Sequence, residues 1–258
     1  MVGWSWSWCP SRTRTGWWDP PGHPAARRRW RLQAPWTEPG PTCEALGSLI
    51  ASLADAKFFL GRRVADWCVG APELESAVAC AAIAQEELGH ARVLYPLLGE
   101  LPLHVPVVPL EREQDRSQYF CPAFLTSPWP SWPEAVVSLA LVDSALTVLL
   151  QAATSSAHGE LARRACRIVE EEWFHSVFGW ARVRALLQED ASRRARPLLA
   201  ARMAEVLDWL SSATAGLGVL QAAGVVDGES EGLRARYLDA VRAGLRELCG
   251  VVEAVGAA

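Results

Sequence analysis

The sequence predicts an all-α fold, a four-helix bundle followed by additional C-terminal helices. Three observations carry that expectation. From residue 43 onward, apolar residues recur at helical spacing and no segment alternates as a half-buried strand does. Glycine and proline fall at intervals that leave segments of helical length between them. One connection, residues 99–132, is long and proline-rich, as in bundles that carry a single long crossover.

The first helix is expected from about Cys43 to Val69, stopping at Gly70, with Pro72 opening a second that continues to about Leu98. Pro133 opens a third, to about Ser156, and a fourth runs from about His158 to Gln188. Further helices are expected over 192–223 and 229–255, separated by Gly224 and the Asp227-Gly228 turn signal. Residues 1–42 stand apart. They hold seven of the thirteen tryptophans, many prolines and the run Arg27-Arg28-Arg29-Trp30-Arg31, with no sustained period. They read as a disordered or mis-assigned extension, the alternative being a basic, aromatic arm for nucleic acid or membrane.

Composition narrows the class. Half of the 258 residues are hydrophobic, enough for a sizeable core. A net charge of −4 gives no general affinity for nucleic acid. Seven scattered cysteines without a C-x-x-C pair fit reduced thiols and a cytoplasmic location. No secretory signal is expected. The longest apolar run, Val136–Leu150, is short for a bilayer and carries Asp143, so no membrane span is expected. Lys57 is the only lysine.

The chemistry lies on the apolar stripes. In the second helix the stripe is Cys80, Ile83, Glu87, His90 and Leu94, with steps of 3, 4, 3 and 4. In the fourth it is Ala165, Ile168, Glu172 and His175. Each contains Glu-x-x-His. Composition alone yields roughly 0.4 such matches in a chain like this, so one would mean little. Two on core stripes, with Asp143 flanked by Leu139, Leu146 and Leu150 on a third helix, carry more weight. Buried carboxylates need cations. Carboxylates and imidazoles converging from facing helices form the ligand set of a non-haem iron or manganese site. A satisfied polar cluster without metal is the alternative.

Over about residues 45–190 the chain resembles the catalytic and structural subunits of the multicomponent phenylacetyl-CoA epoxidases, which are ferritin-like. The resemblance rests on Leu53-Ala54-Asp55, Asp66-Trp67-Cys68, Ala71-Pro72-Glu73-Leu74-Glu75, Gln85-Glu86-Glu87-Leu88-Gly89-His90-Ala91-Arg92, Leu141-Val142-Asp143 and Glu171-Glu172-Trp173-Phe174-His175. The Trp-Cys and Ala-Pro-Glu-Leu-Glu elements, with the chain length, look like the structural subunit. The paired Glu-x-x-His and Asp143 look like the catalytic one. The resemblance implies a di-iron site that activates O2 and epoxidises the ring of an aryl-CoA thioester. It further implies a paralogous ferritin-like subunit and a flavin and iron–sulfur reductase as partners. Glu87, His90, Asp143, Glu172 and His175 match ligand positions, with Glu87 and Glu172 also candidates for the catalytic centre. Glu86 and Glu171 are either supporting groups behind the ligands or solvated helix flanks.

The first helix should supply another carboxylate, and here the pattern breaks. Asp55 is one candidate ligand, yet the position in register with the catalytic subunits' glutamate is Lys57. Leu46, Ile50, Leu53, Lys57, Leu60, Val64 and Trp67 form a seam with steps of 4 and 3, which points Lys57 inward. Residues two apart on a helix diverge by roughly 200°, so Asp55 and Lys57 cannot both face the site easily. Lys57 therefore either stands in for a metal, leaving one iron or none, or snorkels to water. Three functions follow as alternatives: a monooxygenase subunit with Lys57, Glu87 and Glu172 at its centre, a non-catalytic partner of a catalytic paralogue, or an iron-storage or peroxide-reducing bundle.

Overall fold

The computed structural model describes residues 36–104, 107–110, 116, 118–188 and 192–246. Among them it contains helices and no strand, an all-α ferritin-like bundle. The four bundle helices are α1 (Pro41–Ala65), α2 (Leu74–Leu98), α3 (Trp132–Ala153) and α4 (Gly159–Gln188). They are followed by α5 (Ser192–Ala213), α6 (Leu217–Ala222) and α7 (Ser230–Arg246). Short 3-10 turns lie at Asp66–Cys68 and Ala123–Leu125. The expectation for the N-terminal extension falls, up to residue 35, outside the described residues, as does the last helix beyond residue 246.

The helix ends follow local chemistry. Pro41 begins α1, where its missing N–H costs nothing. The Ser131 hydroxyl accepts from Glu134 N–H at the start of α3, next to Pro133 in the first turn. His158 precedes α4, and its Nδ1 accepts from Leu161 N–H at 3.2 Å. In front of α1, the Trp36 ring leans on His158 with centroids 5.3 Å apart.

Two expectations need correction. The helix expected over 192–223 is divided, α5 ending at Ala213 and α6 beginning at Leu217. Between them Gly216 crosses α1 so closely that a Cβ there would lie 2.6 Å from Ala45 Cβ. The Thr214 hydroxyl meanwhile bonds back to Leu210 O. The second helix begins at Leu74, two residues after Pro72, with extended Glu73 as its N-cap. Beyond α6, Gly224 and Gly228 adopt φ of 68° and 111°, as the turn signals require. That turn is tied to the α3–α4 connection by Ala157 N–H to Gly224 O and Asp227 N–H to Ala152 O.

α1 and α2 pack as one hairpin and α3 and α4 as another, and the C-terminal helices cover α1, α3 and α4. α1 and α3 are consequently buried over most of their length. α3 is long and apolar enough to meet the length criterion for a membrane span, but 89% of its apolar window is buried inside the bundle. Such a helix is a core helix of the bundle.

Candidate metal centre

Each bundle helix delivers at least one polar side chain to a common point in the core. α1 contributes Lys57, α2 Glu87 and His90, α3 Asp143, and α4 Glu172 and His175. All six are buried, Lys57, Glu87, Asp143 and His175 completely so. Acceptor and imidazole atoms of Glu87, Asp143, Glu172 and His175 lie within 4.8 Å of one another. Gly61 on α1 permits this convergence: a Cβ there would come within 3.0 Å of both Glu87 Cβ and Leu88 Cγ.

Lys57 sits in the middle. Its Nζ donates to Glu172 Oε1 at 2.6 Å and Glu87 Oε1 at 2.8 Å, and lies 3.7 Å from Asp143 Oδ1. The lysine therefore points inward and does not snorkel. Burial alone would lower its pKa, but the charges of Glu172, Glu87 and Asp143 outweigh that and raise it. Lys57 is a fixed ammonium.

The two imidazoles are arranged reciprocally. His175 Nε2 is 2.7 Å from Glu86 Oε2, and His90 Nε2 is 2.7 Å from Glu171 Oε2. In each Glu-Glu-x-x-His run, the first glutamate thus serves the histidine of the other helix. Both carboxylates are part-exposed, so they are supporting groups that reach the helix surface. Their bonds turn both Nδ1 atoms toward the core. His175 Nδ1 lies 3.0 Å from Glu87 Oε1 and 3.4 Å from Glu172 Oε2, and His90 Nδ1 lies 3.1 Å from Glu172 Oε1. None of these inward approaches has hydrogen-bond geometry: both Nδ1 atoms, Glu87 Oε2, Glu172 Oε2 and both Asp143 oxygens make no hydrogen bond.

Proton placement follows from these contacts. Burial and the charge of Glu172 raise Asp143 well above the usual carboxylate range. Burial acts the same way on Glu172, but the Lys57 charge overrides it and holds Glu172 well below that range. Of the pair, Asp143 is the more basic carboxylate. Burial would lower the pKa of His175, but Asp143, Glu172 and Glu87 raise it, so the imidazole is protonated. Two basic side chains, Lys57 and His175, thus face three buried carboxylates, Glu87, Asp143 and Glu172.

That balance tests a metal. The bundle carboxylate sites use a glutamate from each of two helices plus Glu-x-x-His from the other two. Here α3 supplies Asp143 and α1 supplies Lys57 in place of the fourth carboxylate. One divalent ion would be neutralised if Asp143 and His175 gave up their protons. Two would need a further anionic ligand, because the Lys57 ammonium already uses one oxygen of each glutamate. Glu87, Asp143, Glu172 and His175 could hold a metal ion, with Lys57 standing where a fourth bundle carboxylate would be.

Asp55, expected as a possible ligand, is elsewhere. It is buried on the other side of α1, where it accepts from Tyr95 Oη at 2.7 Å, Phe120 N–H at 2.9 Å and the Arg116 guanidinium. It clamps the crossover onto α1 and α2. Tyr95, Arg116 and Phe120 escaped the sequence reading because Arg116 and Phe120 belong to a connection without periodicity.

Fold and site together define a helical-bundle protein of the carboxylate–histidine type, with a lysine at one carboxylate position. The family model for phenylacetic acid catabolic proteins matches residues 32–253, and the chain belongs to that family. Its role lies in phenylacetate catabolism. The match extends through the C-terminal helices, beyond residues 45–190, which carry the motifs. A comparison with curated proteins gave no match.

Proposed function

We propose that this chain is the non-catalytic, structural subunit of a phenylacetyl-CoA ring-epoxidising monooxygenase, its bundle core closed by Lys57 instead of a two-iron centre. The observation that carries the reading is the Lys57 ammonium, bonded at 2.6 and 2.8 Å to the glutamates of both Glu-x-x-His runs. In this reading a paralogous bundle holds the iron and a flavin and iron–sulfur reductase supplies electrons. The retained Glu87, His90, Asp143, Glu172 and His175 serve packing and charge balance. The intact ligand motifs favour a second reading, a catalytic subunit with a single iron.

Turnover separates the two. With a matching reductase, O2 and phenylacetyl-CoA, the isolated chain should form no epoxide. A reconstituted complex with its paralogue should keep its rate when this chain carries Glu87→Gln, provided the complex still assembles. Epoxide formation by the isolated chain, abolished by Glu87→Gln, would overturn the reading in favour of the single-iron enzyme.

A further inference from the structure

We propose that Asp55 is a positioning residue for Lys57: by pinning the roll of α1 from its outer side, it holds the Lys57 ammonium between Glu87 and Glu172 and so controls whether a divalent ion can enter the core. This role follows from the place of Lys57 and is the same in either reading of turnover above. Asp55 and Lys57 are the two long side chains of their turn. The run is Ala54-Asp55-Ala56-Lys57, and each alanine carries only a methyl group. Both polar side chains are completely buried, although they point about 200° apart around the helix.

The turn is tethered on both sides of its axis. On the outer side, Tyr95 Oη donates to Asp55 Oδ1 at 2.7 Å and Phe120 N–H donates to Oδ2 at 2.9 Å. The Arg116 guanidinium pairs with the same carboxylate and donates from Nη1 to Val108 O at 2.8 Å. Asp55 therefore gathers α2 and two parts of the crossover onto α1. On the inner side, Lys57 Nζ bonds to Glu87 on α2 and Glu172 on α4. Toward α2 the next turn adds little to key the helix, because Gly61 has no side chain where α1 passes Glu87 and Leu88.

Leverage makes Lys57 sensitive to this tether. Cα atoms lie about 2.3 Å from a helix axis and an extended lysine stem carries Nζ to about 8 Å, so a roll of about 10° moves the ammonium by about 1.4 Å. Its two partners approach from different helices with bonds of 2.8 and 2.6 Å, so such a shift breaks at least one of them. A displaced ammonium frees Oε1 of the glutamates for an entering divalent ion, in the cluster that Asp143 and His175 complete. The crossover has a second anchor that does not touch α1: Trp209 Nε1 on α5 donates to Phe120 O at 3.1 Å. Removing that anchor loosens the same loop and leaves the Asp55 bonds in place.

Lys57 is the only lysine, so it is a single-site reporter. In the full chain, with lysine labelled in heavy nitrogen, its ammonium gives one resonance whose proton exchange with water reports enclosure. Asp55→Asn should speed that exchange about tenfold and tighten cobalt(II) binding by a similar factor, the latter read by titration of metal-free protein. Tyr95→Phe removes one bond, keeps the Asp55–Arg116 pair and should act in the same direction by about threefold. It decides the matter if Asp55→Asn does not fold. Trp209→Phe should change neither readout. Equal acceleration by Trp209→Phe would assign the effect to a loosened crossover and overturn the role of Asp55. Unchanged Lys57 exchange and cobalt affinity in folded Asp55→Asn, or in Tyr95→Phe where that variant alone folds, would overturn it as well. Neither readout depends on turnover or on a partner, so the structural-subunit reading stands or falls separately.

Discussion

Replacing Lys57 by methionine keeps the length of the stem and removes the ammonium. Glu87 and Glu172 each lose their short bond, at 2.8 and 2.6 Å, and Asp143 loses a positive charge 3.7 Å away. Only His175 then remains as a positive counter-charge in the cluster, so one ionised glutamate stays buried without compensation. Breaking a buried ion pair in this way costs about 3–5 kcal/mol. For a domain of this size each kcal/mol lowers the melting temperature by about 2–4 °C, so a fall of roughly 6–20 °C is expected. Urea unfolding and thermal melts of wild type and Lys57→Met measure it. The variant also exposes two glutamate oxygens to a cation, so a divalent ion should restore stability selectively. At a hundredfold excess over its dissociation constant the gain is about 2.7 kcal/mol. A loss below about 1 kcal/mol, with no metal-dependent recovery, would refute the placement of Lys57 as the cation of the core.

Further outcomes test other parts of the structure. Because burial and the Glu172 charge raise Asp143 while the Lys57 charge holds Glu172 low, Asp143→Asn should cost less than Glu172→Gln, about 1 kcal/mol against about 3, both read from urea melts. Gly61→Ala should destabilise by about 1–3 kcal/mol, since its Cβ would press on Glu87 and Leu88, and thermal melts report it. Burial lowers the pKa of His158, so the unfolded chain takes up this proton first. Stability from this group is therefore present above the unfolded-state value and falls as the pH drops toward the lower folded value. His158→Asn keeps an acceptor for Leu161 N–H and should flatten that acid-side slope in a pH series of unfolding free energies. Asp55→Ala should cost about 3 kcal/mol and loosen the crossover, seen as faster amide exchange around Phe120, because Arg116 loses its buried partner.

Much of the bundle was readable because its signals are local. The steps of 3 and 4 that put Glu87, His90, Glu172 and His175 on apolar stripes are a property of single helices, and burial followed once those stripes met. The seam from Leu46 to Trp67 placed Lys57 inward for the same reason. Asp55 could not be resolved that way. Its partners Arg116 and Phe120 lie 61 and 65 residues away in a connection whose path depends on tertiary packing. The break between α5 and α6 is also a long-range effect, set by Gly216 passing over Ala45. The reciprocal bonds of Glu86 and Glu171 need the antiparallel register of α2 and α4, which no single helix encodes. The start of α2 at Leu74 instead of Pro72 is a local detail at a helix end, where the extended Glu73 serves as N-cap.

The Lys57 ammonium holds a position that a metal would need. Metal analysis of the purified full chain, produced in iron-replete cells and dialysed against a range of added ferrous ion under anaerobic conditions, tests it most directly. At most one tightly held divalent ion per chain is expected at saturation, and Lys57→Glu should raise that ceiling. Two irons per chain in the wild-type protein would contradict the claim.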